Sequence, residues 1–237
     1  MPAEHGRLIR LRRPPVLNVI PDRWVPEGVD LDEVDALWRT LVESNPRYHD
    51  GDLFHVLGVI RNGHAGATIH LVPSSYRFHA VRRLGFDTGV RPLGVKGLFV
   101  ANDPGNGERG LVAGRRSESS GSYPGCWEYL PGGGVEPEFV AGRQQADPLA
   151  VIRRELLEET GVRGSVDPIA LAILEDRSVG TWEIVYRGVL DSSPLAPPGW
   201  EHDLIRTVTP GTLPSPASDA ATMLAGLARD VLRSPPV

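Results

Sequence analysis

The sequence has a single cysteine, Cys126, and a single lysine, Lys96, among 25 basic residues. One cysteine excludes an internal disulfide, as is typical of proteins in a reducing compartment. We attribute the shortage of lysine to genome composition. No apolar run approaches the ~20 residues that a membrane-spanning helix needs, and the N-terminus lacks the apolar core of a signal peptide. These absences predict a cytoplasmic protein with no membrane anchor.

A strong positive charge is also missing. The formal net charge is -5 and the sequence pI is about 5.8, so no general basic field exists to bind nucleic acid or an acidic membrane. Hydrophobic residues make up 41% and charged residues 23% of the chain, which is ordinary for a globular protein. The 237 residues are enough for one sizeable core, or for one core with an N-terminal extension.

Apolar periodicity and turn residues predict a mixture of helices and strands. Helices are expected at 30–44, 148–160 and 216–233. Strands are expected at 7–20, 53–61, 68–72, 97–101, 110–116, 127–130, 169–174 and 181–190. Elements in this order predict an α/β or α+β fold.

The helix at 148–160 carries the residues with the clearest chemistry. Glu155, Glu158 and Glu159 are three and four positions apart, so their carboxylates share one helix face and repel each other. A divalent cation would reverse that repulsion, and Mg²⁺ takes oxygen ligands together with substrate phosphates. The plainer interpretation is a solvated helix with an ion pair between Arg154 and Glu158.

A glycine-rich segment precedes this helix. Leu130-Pro131-Gly132-Gly133 follows a short predicted strand. Glycines let backbone amides and carbonyls approach a phosphate or a metal closely. The segment therefore favours the metal interpretation of the helix over the solvated one.

Together these residues resemble the Nudix family of pyrophosphohydrolases. The second half of the family's box, Arg-Glu-apolar-x-Glu-Glu-x-Gly-apolar, matches Arg154 through Val162 at every defined position. The resemblance implies an α/β/α sandwich with a mixed sheet, formed by residues 91–237, with residues 1–90 as an N-terminal helix-plus-strands extension packed on that core. It covers the general fold over about 91–190.

The resemblance also implies roles for individual residues. Glu155, Glu158 and Glu159 become ligands of Mg²⁺, with Mn²⁺ as the alternative, and Glu155 is also a candidate base. The carbonyls of Gly132 and Gly133 complete the metal site, and Arg154 orients the glutamates. Further base candidates, on later segments of the chain, are Glu175, Glu183 and Glu201.

The middle of the box departs from the family pattern. Arg154 lies 21 positions after Gly133, whereas the pattern has 14, so seven residues are extra. Ala146 stands where the pattern has a glutamate. Glu136 or Glu138, before the apparent insertion at 139–145, are candidates to replace it in space. We expect the insertion to be a surface excursion beside the cleft.

The residues before Arg91 are similar, more loosely, to Nudix UDP-sugar diphosphatases of the UDP-glucose-cleaving kind. The similarity rests on the order helix, Asn45-Pro-x-x-x-Asp-Gly51, strand pair, Tyr/Arg segment, then Pro92-Leu93-Gly94-Val95. It implies cleavage of a nucleotide sugar to UMP and a sugar 1-phosphate. The candidates for binding the diphosphate are Arg77, Arg82, Arg115 and Arg116. Tyr76, Tyr123 and Trp182 are candidates for stacking on the base.

Several alternatives stay open at this point. ADP-ribose, a dinucleotide or a nucleoside triphosphate would suit the same box. A non-catalytic Nudix-fold module that senses a nucleotide is the alternative from another class, although the intact set of glutamates and the lack of a helix-turn-helix favour the enzyme. The expected partner is a small nucleotide substrate and not a nucleic acid. The oligomeric state is undetermined, and a homodimer is possible.

Overall fold

The structure is a computed structural model that describes residues 6–103, 105, 107–140, 143–191, 195, 199–209 and 213–234. Within these residues, no helix is both long and apolar enough to cross a membrane. The helices are α1 (Leu31–Ser44), α2 (Tyr76–Ala80), α3 (Pro148–Thr160) and α4 (Asp219–Arg233), with a 3₁₀ turn at Val81–Leu84. The strands are β1 (Gly6–Arg10), β2 (Val16–Val19), β3 (Asp52–Arg61), β4 (Ala67–Ser75), β5 (Leu93–Asn102), β6 (Arg109–Arg116), β7 (Trp127–Tyr129), β8 (Gly132–Gly134), β9 (Glu138–Val140), β10 (Arg143–Gln145), β11 (Gly164–Val166), β12 (Ala172–Asp176), β13 (Thr181–Leu190) and β14 (His202–Val208).

A mixed sheet of nine strands forms the centre of the molecule. Its main path is β1-β12-β13-β5-β6-β14, with β11 beside β13, β7 beside β6 and β8 beside β5. The pair β13–β5 is parallel, and the other pairs are antiparallel. The expected mixed α/β fold is thereby confirmed.

The two faces of this sheet bury separate cores, because successive side chains of a strand point to opposite sides. On β13, Ile184 belongs to a cluster that includes Ile152 and Leu156 of α3. Its neighbour Val185 belongs to a second cluster, which includes Leu224 of α4. Helices therefore cover both faces of the sheet, as the sandwich prediction requires.

The helix that carries the glutamates begins and ends where its sequence predicts. The Asp147 side chain accepts a hydrogen bond from the Ala150 amide at 2.9 Å, and Pro148 occupies the first turn. Gly161 ends the helix in the left-handed conformation, with φ of 68°, which glycine adopts without steric cost. These two caps determine where along the sheet the carboxylates of α3 lie.

The N-terminal region contributes to two sheets. The single strand predicted at 7–20 is wrong, because β1 pairs with β12 in the central sheet whereas β2 pairs with β4 in a separate sheet of order β2-β4-β3. Pro14 and Pro15 lie between the two strands. Proline has no amide hydrogen to donate to a sheet ladder, which explains why the pairing is interrupted there.

The same region shares its core with the rest of the chain. Phe54, Ile69 and Leu71 of β3 and β4 belong to one buried cluster with Leu93 and Val95 of β5. Buried apolar contacts thus cross the boundary that we predict at residues 90 and 91. That division into extension and domain stays a prediction.

A buried histidine also joins the two sides of this boundary. His55 on β3 is 6% exposed, and its Nδ1 accepts a hydrogen bond from the Arg91 amide at 2.9 Å. The ring of Trp24 lies 4.5 Å from its ring, centre to centre. A ring protonated on Nδ1 could not accept the Arg91 bond, so this contact requires the neutral side chain.

His55 is expected to make the fold sensitive to mild acid. Burial lowers its pKa from 6.5 to about 4, so between these values the unfolded chain binds a proton that the folded chain does not. The contribution of His55 to the free energy of unfolding therefore does not change with pH above 6.5. As the pH falls from 6.5 towards 4, this contribution lowers the free energy of unfolding by up to about 3 kcal/mol. Urea denaturation of His55→Gln should show a shallower loss over that interval, and an unchanged acid dependence would contradict the assignment.

Candidate active site

The three glutamates of α3 have different surroundings. The Glu158 side chain is 61% exposed, whereas that of Glu155 is 15% exposed. Arg154 lies 3.1 Å from a Glu155 carboxylate oxygen and 3.9 Å from one of Glu158. Glu159 is directed inward and accepts a hydrogen bond from the Gly132 amide at 3.3 Å. Glu155 and Glu159 therefore face the protein interior, and Glu158 lies at its margin.

The strand β8 approaches these carboxylates because it consists of glycines. A Cβ atom at Gly133 would collide with the Glu155 carboxylate. A Cβ atom at Gly132 would lie 2.6 Å from the Lys96 ammonium. The absence of side chains on β8 thus lets its backbone lie between the helix α3 and the buried Lys96.

Beneath β8, one buried carboxylate binds three basic side chains. Glu128 is 2.8 Å from the Lys96 ammonium, 2.7 Å from the Arg116 guanidinium and 3.3 Å from Nε2 of His202. Burial by itself would raise the pKa of Glu128, but the charge of Lys96, together with His202 and Arg116, holds it well below its usual range. Glu128 is therefore ionised, and it holds the Lys96 ammonium and the Arg116 guanidinium in fixed positions.

No local sequence pattern identifies Lys96, Glu128 or His202 as site residues. They lie on three separate strands, more than a hundred positions apart at the extremes. Lys96 is the single lysine of an arginine-rich chain, and that rarity is the one feature of the sequence that distinguishes it.

A group of possible metal ligands lies next to this network. Ligand atoms of Glu159, Glu201 and His202 all lie within 4.8 Å of one another. Burial and the nearby Glu128 charge raise the pKa of Glu159 well above its usual value, and burial also raises the pKa of Glu155. Burial and the neighbouring carboxylates disfavour the ionised form of both side chains. A hard divalent cation, which takes oxygen ligands, would offset that cost. The residues present therefore fit the expected metal.

A cavity of about 470 Å³ adjoins these residues. Its walls come from the N-terminal region, including Tyr48, Tyr76 and His79, and from the central sheet, including Gly133 and Glu183. The N-terminal residues thus line the same cavity as the glycines of the box. Of the base candidates, Glu183 and Glu201 line the cavity, whereas Glu175 pairs with Arg7 and Arg177.

The four candidate diphosphate-binding arginines are separated in the fold. Only Arg116 is among the residues that line the cavity. The other three contact acidic side chains elsewhere: Arg77 binds Asp35 and Asp50, Arg82 binds Asp87, and Arg115 binds Asp203. A substrate role for all four stays a prediction, and the geometry favours Arg116.

The extra residues of the box form a small hairpin. β9 and β10 pair antiparallel in a two-stranded sheet of their own, and residues 141 and 142 between them lie outside the described part. Glu136 lies just before the hairpin. The hydrogen bond with Glu155 is the main cause of the raised pKa of Arg154, and the charge of Glu136 adds to it. This placement agrees with Glu136 as the spatial replacement for the glutamate that Ala146 lacks.

Comparisons with known proteins place the chain in a family. The NUDIX domain family matches residues 91–227, more than half of the chain. Solved structures with similar folds include the MutT protein from Methanosarcina mazei Go1, at 20% identity and a TM-score of 0.45 over 60% of this chain and 95% of that one. Another is the NUDIX domain of Shewanella oneidensis NrtR complexed with ADP ribose, at 16% identity and a TM-score of 0.45 over 62% and 90%. Among curated proteins, none matches significantly. The chain belongs to the Nudix family and is a Nudix hydrolase.

Proposed function

We propose that this Nudix hydrolase cleaves a nucleotide sugar within its diphosphate, with UDP-glucose giving UMP and glucose 1-phosphate. The observation that carries the proposal is the shared cavity. Cleavage of a diphosphate without further groups requires only the residues of the Nudix box. Here residues between 45 and 79 form one side of the cavity, so the cavity also provides contacts for groups at both ends of the diphosphate. An occupant that fills it extends beyond the phosphates.

The aromatic residues of the extension suit one end of such a substrate. The rings of Tyr48 and Tyr76 are stacked 6.4 Å apart, and the Arg47 guanidinium lies 5.2 Å from the centre of the Trp200 ring. All four residues line the cavity. Aromatic faces and a stacked arginine favour a planar base, so we assign the nucleoside to this wall.

Glu155 and Glu159 would hold the metal ion together with the Gly133 carbonyl, with Glu158 at the exposed margin. Mg²⁺ is the expected ion and Mn²⁺ the alternative. When bound, the ion would neutralise the charge of the diphosphate and activate a water molecule. Arg154 orients Glu155 and Glu158, and Arg116 offers its guanidinium to the phosphates from a position held by Glu128.

Glu201 is our candidate for the base. Its carboxylate lies beside Glu159, and its backbone carbonyl accepts hydrogen bonds from the Ser117 amide at 2.8 Å and the Ser120 hydroxyl at 2.9 Å, which restrain this segment. In the reaction, a water oxygen bonds to one phosphorus, the bond to the bridging oxygen breaks, and the water proton passes to Glu201. The bridging oxygen leaves with the other phosphate.

A substrate panel with Mg²⁺ tests the proposal. We expect UDP-glucose or another UDP-sugar to be hydrolysed with the highest kcat/KM among UDP-sugars, ADP-ribose, dinucleotides and triphosphates. The products should be UMP and a sugar 1-phosphate, resolved by chromatography. Turnover of ADP-ribose or a triphosphate with UDP-sugars untouched would overturn the nucleotide-sugar assignment. Tight binding of a nucleotide without any turnover would favour a sensor over an enzyme.

A further inference from the structure

Three side chains of two adjacent strands face the cavity from the central sheet. Asp176 of β12 and Thr181 of β13 are direct partners in the antiparallel ladder. Glu183 is two positions beyond Thr181, so its side chain leaves the same face of the sheet. All three line the cavity.

Two of these side chains have buried oxygens without a partner. Oγ1 of Thr181 and Oε2 of Glu183 are buried, and neither has a hydrogen-bond partner among the described residues. Asp176 differs, because both of its carboxylate oxygens accept from the Tyr123 hydroxyl, at 2.8 and 2.9 Å. Buried polar atoms are usually paired, so two unpaired oxygens on one cavity wall point to a ligand that supplies donors.

The charge of this wall selects among possible ligands. The Lys96 ammonium lies 3.9 Å from the other Glu183 oxygen and is already bound to Glu128. A phosphate would meet the carboxylates of Asp176 and Glu183, which repel it. A neutral hydroxyl group can donate to the Glu183 oxygen and both donate to and accept from the Thr181 hydroxyl.

We infer that Thr181 and Glu183 form a hydroxyl-binding subsite for the sugar of the substrate. This inference rests on the proposed function and deepens it, because it assigns the sugar of the substrate to the side of the cavity that Thr181 and Glu183 form. One sugar hydroxyl donates to Oε2 of Glu183, and the same or a neighbouring hydroxyl pairs with Oγ1 of Thr181.

The chain provides a matched control for the threonine. Thr207 of β14 also has a buried Oγ1 without a described partner, but it is not among the residues that line the cavity. Thr181→Val and Thr207→Val each remove one such hydroxyl. If loss of a buried hydroxyl affects only folding, the two variants should lose kcat/KM to a similar extent. If Thr181 contacts the sugar, only Thr181→Val should lose kcat/KM.

The test compares UDP-glucose with the methyl ester of UDP. This ester has the same nucleoside and diphosphate, but a methyl group replaces the glucose. Thr181→Val should lower kcat/KM for UDP-glucose about three- to tenfold, the equivalent of one neutral hydrogen bond, mainly through KM. Its kinetics on methyl-UDP, and those of Thr207→Val on both compounds, should equal wild type. Glu183→Gln should raise KM for UDP-glucose about tenfold or more, and the ratio of KM for UDP-glucose to KM for methyl-UDP should rise with it.

Other outcomes would overturn the subsite. Equal losses on both compounds for Thr181→Val would show a structural role, and a collapse of kcat on both for Glu183→Gln would assign Glu183 to the attacking water. If wild type cleaves ADP-ribose but no UDP-sugar, the proposed function fails, and the comparison is repeated with ADP-ribose and methyl-ADP. If Thr181→Val then lowers kcat/KM for ADP-ribose but not for methyl-ADP, the subsite is retained, with the terminal ribose as its ligand. Turnover of triphosphates alone would overturn both proposals.

Discussion

Glu159→Gln is expected to lower kcat at least about a hundredfold, because a metal ligand supplies several kcal/mol of transition-state stabilisation. The fold should survive and gain slight stability without metal. Burial and the Glu128 charge raise the pKa of Glu159 well above its usual value, so the ionised carboxylate is unfavourable in the folded state and a neutral amide relieves that cost. Steady-state kinetics across a Mg²⁺ titration and thermal denaturation in EDTA measure the two effects.

A suitable control for this substitution is Glu43→Gln, which changes an exposed glutamate of α1 that is not among the cavity-lining residues. Its rate and metal dependence should match wild type. Wild-type turnover by Glu159→Gln at limiting Mg²⁺ would remove Glu159 from the metal site. An unfolded variant would instead show that the Gly132 hydrogen bond is needed for the structure.

Lys96→Met is expected to lower the free energy of unfolding by about 3 kcal/mol. The Lys96 and Glu128 side chains are 7% and 6% exposed, so removing the ammonium leaves a buried carboxylate short of one partner. The remaining contacts of Glu128 with Arg116 and His202 keep the loss towards the lower end of the range for broken buried pairs. Urea denaturation at neutral pH measures the effect.

Two further variants separate burial from simple loss of charge. Arg23→Met breaks the ion pair with Asp52, in which both side chains are 53% exposed, and such a pair is worth less than about 1 kcal/mol. Glu128→Gln should cost at least as much as Lys96→Met, because it takes the carboxylate away from both the Lys96 ammonium and the Arg116 guanidinium. A Lys96→Met variant as stable as Arg23→Met would contradict the importance that we assign to the buried network.

The three long helices were predictable because their determinants are local, whereas the strand β8 and the short helix α2 were not predicted. Asp147 and Gly161 lie at the two ends of one helix, and the Glu155 and Glu159 spacing is visible within five residues. The helical period places the glutamates on one face of the helix, but it does not predict that Glu155 is more buried than Glu158. Apolar alternation also predicted β3 and β13 to within a residue or two.

The rest of the site depends on contacts between distant strands, which local patterns do not reveal. His202 and Glu128 meet only because β14 and β7 lie on either side of β6, and β14 was not predicted. Arginine patterns were equally uninformative, since the aspartates that pair with Arg77, Arg82 and Arg115 come from separate segments. The unpaired oxygens of Thr181 and Glu183 are properties of the packed structure alone.

The core shared by the first ninety residues and the central sheet limits how this protein can be recombined with its relatives. A chain cut before Arg91 would expose Leu93 and Val95, which now pack in one cluster with Phe54 and Leu71. Apolar surface exposed in this way promotes aggregation. A chimera that takes the residues before Arg91 from another protein must therefore import the matching part of the hydrophobic interior, so its solubility depends on both parts of the chain together.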